Sequence, residues 1–139
     1  MTAGTKWIRA GLLLLAVPQC WIGLWASLAP DSWFHHFPEL GFEWTAKLGP
    51  YNEHLSRDVG FGFLATGVMV GCAAIWPERR LVIAALVAWL FFAVPHFLFH
   101  LTTSSMYSPL DNALQMFFLV LVIAIPIALL YAIRRKESH

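Results

Sequence analysis

The sequence predicts an all-α polytopic membrane protein, with four transmembrane helices in an antiparallel bundle and both ends of the chain in the cytoplasm. Three observations predict it. Of the 139 residues, 59% are hydrophobic and only 12% are charged, against about 25% charged in soluble domains. The apolar residues fall into four blocks, 7–28, 59–76, 81–101 and 113–133, each close to the ~20 residues that carry a helix across a bilayer. Finally, seven of the nine Lys and Arg flank one side of a four-span arrangement: Lys6, Arg9, Arg79, Arg80, Arg134, Arg135 and Lys136. Basic residues in short loops stay in the cytoplasm. Residues 1–139 therefore form a single domain, with segment 29–58 on the outer face.

The first block begins after Lys6 and Arg9 and carries Pro18 and Gln19 at mid-span. A kink is expected there, its freed carbonyl met by a neighbouring helix. Pro30, directly after Ser27-Leu28-Ala29, disfavours a cleaved signal, so the block is expected to be a retained helix. In the outer segment, Asp31 or Ser32 is expected to cap a short helix over 30–37. Trp33, Phe34, Phe37, Phe42, Trp44 and Tyr51 would form an aromatic belt at headgroup depth.

The second block contains Gly67 and Gly71, four residues apart on one helical face. Such spacing lets another backbone approach closely. That backbone belongs either to the same chain, or to a second copy or another membrane protein. Pro77-Glu78-Arg79-Arg80 is a short turn that makes a hairpin of the second and third blocks. The third is apolar without interruption from 81 to 94, which no water-soluble bundle helix tolerates. Ser108-Pro109-Leu110-Asp111 has the form of a capping box with Pro at the first helical position. Cys20 and Cys72 differ in membrane depth by roughly 14 Å at 1.5 Å per residue, too far for a disulfide.

Polar groups gather at the outer ends of three blocks. Glu53, His54, Arg57 and Asp58 precede the second, His96 and His100 close the third, and Asp111, Asn112 and Gln115 open the fourth. A spacing of four places His96 with His100, and His54 with Asp58, one turn apart on one face. Two imidazoles and a His/Asp pair from a facing helix would make a tetrahedral set suited to Zn or Fe, so the metal-site expectation is His96, His100, His54 and Asp58. His54, Arg57, Asp58, Asp111 and Gln115 are the expected ligand-binding residues of an outward-facing pocket. The competing reading is structural: Asn52 and Asp111 finish helix ends, and the histidines hydrogen-bond across helices. Phosphate loops, GxSxG and HExxH are missing, and no basic patch suits nucleic acid.

Gly49-Pro50-Tyr51-Asn52-Glu53-His54-Leu55-Ser56-Arg57-Asp58-Val59-Gly60 and, later, Pro95-His96-Phe97-Leu98-Phe99-His100 resemble stretches of small bacterial four-helix membrane proteins. The overall pattern is similar to that of DoxX-like membrane proteins. The resemblance implies a bundle in the bacterial plasma membrane and transfers no activity, cofactor or catalytic residue. The leading functional expectation is a pocket for a metal ion or a small amphipathic ligand, either a lipid headgroup or a quinone-like molecule. The alternatives are a metal-dependent oxidoreductase or hydrolase, and a non-catalytic subunit of a larger membrane complex.

Overall fold

The computed structural model describes residues 3–135. Five α-helices occur among them: α1 (Ala3–Leu28), α2 (Pro30–His36), α3 (Glu53–Ile75), α4 (Arg79–Thr102) and α5 (Pro109–Arg135). Two short strands, β1 (Pro38–Glu39) and β2 (Phe42–Glu43), pair antiparallel between α2 and α3, and 3-10 turns cover Ala46–Leu48 and Ser104–Met106. Lys136, expected to anchor the last span, lies outside the described residues.

Helices α1, α3, α4 and α5 are long and apolar enough to cross a membrane, over 23, 23, 24 and 26 residues. At 1.5 Å per residue the shortest spans about 35 Å, more than the ~30 Å of a hydrocarbon core. Their outward faces are apolar: Trp7, Trp21, Phe91 and Phe117 are all exposed. This arrangement is consistent with a multi-pass membrane protein.

The helices run past the apolar blocks because their polar ends are capped. Asn52 Oδ1 accepts a hydrogen bond from Leu55 N at 3.0 Å, so α3 starts at Glu53 rather than at 59. The segment joining α1 to α3 is accordingly 29–52, and 53–58 is helix. At the start of α5 the Ser108–Asp111 box closes both ways. Asp111 N donates to Ser108 Oγ at 3.1 Å, and Ser108 Oγ and N donate to Asp111 Oδ2 at 2.8 and 3.3 Å.

Helix α1 packs chiefly on α3, and glycines set the separation. A Cβ on Gly23 would lie 2.6 Å from Leu64 N, one on Gly60 2.5 Å from Ser27 N, and one on Gly67 2.7 Å from Cys20 Sγ. Gly67 thus packs against α1 within the chain, one of the two contacts its spacing allows. Gly71 meets only Ala16 Cβ, at an ordinary 3.9 Å. Both cysteines are free.

Arginines close the same pair of helices. Arg9 of α1 donates to Ala74 O and Ile75 O at 2.7 and 2.9 Å, covering carbonyls that the end of α3 leaves without intrahelical partners. Arg57 of α3 donates to Ser27 O near the end of α1 and is held by Glu53 at 2.9 Å. Positive charge at a helix C-terminus also opposes the helix dipole. Gln19 Nε2 and Thr66 Oγ1 add a tie at 3.3 Å. On the other side, Trp89 Nε1 of α4 donates to Val122 O of α5 at 2.8 Å. A dry core that includes Leu12, Leu15, Val70, Val82, Leu86 and Trp89 fills the half of the molecule away from α2.

Segment 29–52 folds over the opposite end. Its helix is capped by neither Asp31 nor Ser32: Ala29 stands at the N-cap without a side-chain bond and Pro30 opens the first turn. Proline suits that position because its φ is already helical and the missing N–H has no role there. Leu40 and Gly41, at φ +58° and +85°, make the two-residue turn between β1 and β2, a connection that needs left-handed backbone at both positions. Of the aromatics expected as a belt, Trp33, Phe34 and Trp44 are buried against the rest of the chain. Phe37 gathers Trp25, Trp33 and Trp44 at ring-centroid distances of 6.1 to 6.3 Å.

Candidate functional site: a cavity beneath an aromatic cover

Asp111 fastens the cover to the helices. Its carboxylate, nearly buried, accepts from Trp44 Nε1 at 2.8 Å and Lys47 Nζ at 2.9 Å, besides closing the capping box. Tyr107 OH donates to Trp44 O at 2.8 Å, and burial pushes that phenol's pKa upward. Asn112 Nδ2 donates to Ser104 O at 2.7 Å and fixes the turn between α4 and α5. Asp111 was expected to bind ligand; the structure gives its oxygens to the protein's own donors.

Beneath the cover lies a cavity of about 670 Å³. All four long helices contribute, from Gln19 and Ile22 of α1 to Phe118 and Val122 of α5, and Trp33, Phe34 and Trp44 form part of the roof. From His100 to Trp89 the lining follows α4 for about 16 Å, by the 1.5 Å rise. The walls are aromatic and aliphatic. Asp, Glu, Lys and Arg are absent from the described lining.

Among the described residues, three of the lining bring buried polar atoms with no hydrogen-bond partner: Trp33 Nε1, His100 Nδ1, and Gln115 Nε2 and Oε1. Trp33, His100 and Gln115 are 7%, 9% and 3% exposed. The Gln115 amide lies beside the His100 ring and the Tyr107 phenol, but without a bond of normal geometry to either. His96 stacks on Phe92 at 5.1 Å and stands edge-on to His100 at 4.7 Å between centroids. Buried polar atoms are normally paired, and an unpaired group loses hydration with no return. An apolar cavity with a few polar groups in its wall has the general form of small-molecule sites.

Of the residues expected at the site, His96, His100 and Gln115 line the cavity; His54, Arg57, Asp58 and Asp111 do not. His54 and Asp58 pair with each other at 3.2 Å, with side chains 88% and 60% exposed. The buried face of α3 at this level carries Ser56 and Gly60. Two residues of offset turn a helix by about 200°, so positions 54 and 58 point away from it. Arg57 is held by Glu53 and the end of α1. The four expected metal ligands are not brought together: among the described residues, no three His, Cys, Asp or Glu side chains gather as a group that could hold a metal ion. The sequence reading did not single out Trp89 and Phe92. Their spacing from His96, at seven and four residues back on one helix, was a usable signal.

Compared with protein-family models, curated proteins and solved structures, the chain matches none.

Proposed function

We propose that this is a plasma-membrane protein, an antiparallel four-helix bundle with both ends in the cytoplasm, that holds a small amphipathic molecule in the outer leaflet. One observation carries the reading: an apolar cavity of about 670 Å³ with unpartnered polar atoms on Trp33, His100 and Gln115. Its size falls within the ~300–1,000 Å³ of small-molecule sites. The occupant is a quinone-like molecule or a lipid whose head sits under the cover and whose apolar part runs toward Trp89. A metal-dependent oxidoreductase or hydrolase finds no support in the donor set, since His54 and Asp58 stand apart from His96 and His100.

Native mass spectrometry of the detergent-purified protein tests this. A decyl-chain benzoquinone or monoolein is expected to form a one-to-one adduct. Leu119→Trp places a ring in the cavity wall and should abolish the adduct while the thermal transition stays near wild type. A wild-type protein that carries and takes up no lipophile would overturn the reading and leave a non-catalytic subunit in its place.

Orientation rests on the one-sided Lys and Arg. With Cys20 and Cys72 replaced by Ala, Leu40→Cys at the exposed hairpin tip is expected to react with an impermeant thiol reagent on intact cells. Glu78→Cys, between α3 and α4, should react only after lysis. The reverse pattern would turn the cavity toward the cytoplasm.

A further inference from the structure

The lining that recognises a head also specifies its charge. A charged headgroup in a low-dielectric cavity needs an opposite charge beside it, and the described lining holds no carboxylate, Lys or Arg. The two basic residues close to lining positions in sequence are engaged elsewhere: Lys47 with Asp111, and Arg57 with Glu53 and Ser27 O. What remains is a set of hydrogen-bonding groups without a permanent charge. Trp33 Nε1 and Gln115 Nε2 only donate, Gln115 Oε1 only accepts, and His100 Nδ1 does one or the other according to tautomer. Donors without partners call for an acceptor oxygen, and the Gln115 carbonyl calls for a hydroxyl.

We infer that the occupant is an uncharged, oxygen-headed lipid, bearing a carbonyl or ether oxygen together with a hydroxyl, and that Trp33, His100 and Gln115 read that head. This rests on the ligand-holding reading above and narrows it to one chemical class. Anionic and cationic lipids of the same chain are disfavoured by the lack of a permanent counter-charge, and a plain hydrocarbon is disfavoured because it leaves the same polar atoms unpaired. Phe99 and Phe118 of the lining are about half exposed, so the apolar wall offers a tail a surface that needs no polar partner.

The test is a competition at one chain length, read by native mass spectrometry: monoolein, oleate, oleylamine and 1-octadecene against the wild type. Monoolein is expected to bind about tenfold or more tightly than each of the other three. Gln115→Leu and Trp33→Phe should weaken monoolein by roughly five- to tenfold, with the ligand-free thermal transition unchanged or raised because unpaired buried atoms are removed. A merely structural Gln115 would instead lower that transition and leave the ranking of the four probes intact. Oleate, oleylamine or 1-octadecene binding as tightly as monoolein, or Gln115→Leu leaving monoolein binding unaltered, overturns the inference while the ligand-holding reading stands. Uptake of none of the four overturns both.

Discussion

Gly60→Ala is expected to destabilise the protein by more than about 3 kcal/mol, at or beyond the upper end of ordinary overpacking. The added methyl would lie 2.5 Å from Ser27 N and 2.8 Å from the Ala26 carbonyl carbon, backbone atoms that no rotamer change can move aside. Gly62→Ala is the matched control. No atom of the described residues lies within 4 Å of its Cβ position, and alanine is the better helix former by about 1 kcal/mol. Thermal unfolding in detergent should therefore fall for the first variant and hold or rise for the second. Equal stability of Gly60→Ala and wild type would mean that α1 and α3 do not touch there.

The second large effect is expected at Asp111. Asp111→Ala strips Trp44 Nε1 of its acceptor, frees Lys47 and opens the capping box in one change. Breaking a nearly buried, hydrogen-bonded carboxylate costs about 3 kcal/mol, with the Lys47 share reduced because that ammonium is partly solvated. The local consequence is sharper than the global one. Limited proteolysis should cut within 38–50, where wild type resists, and lipophile adducts should be lost with the roof. Asp111→Asn keeps the shape and one acceptor, so it should lie between the two. A protease-resistant Asp111→Ala protein would show that the aromatic contacts alone hold the cover.

The spans were legible in the sequence because crossing a membrane is a demand on composition, and composition is additive along the chain. The caps at Asn52 and Ser108 were legible because capping is local: donor and acceptor stand three residues apart. Which polar residues reach the cavity was not. Helical spacing tells which residues share a face of one helix, and it says nothing about where that face turns. His54 and Asp58 repeat the spacing of His96 and His100, yet the former pair lies off the buried face of α3 and the latter lines the cavity. Asp111 was correctly seen as a possible helix cap, but its bonds to Trp44 and Lys47 bridge more than sixty residues of chain, where no periodic pattern reaches. Gly67 could be picked out as a packing glycine, whereas the meeting of Gly23 with Gly60 joins two elements whose registration only the fold fixes.

The two arginine closures have a mechanical consequence. Arg9 grips the end of α3 and Arg57 grips the end of α1, one at each extremity of the same pair, with the Gln19–Thr66 tie between them. Sliding α1 along α3 by one turn, about 5.4 Å, would break both grips at once and drive Gly23, Gly60 and Gly67 out of their fitted positions. The pair is therefore locked in register, and the part of the cavity wall that α1 and α3 supply, from Gln19 and Ile22 to Val59 and Phe63, is locked with it.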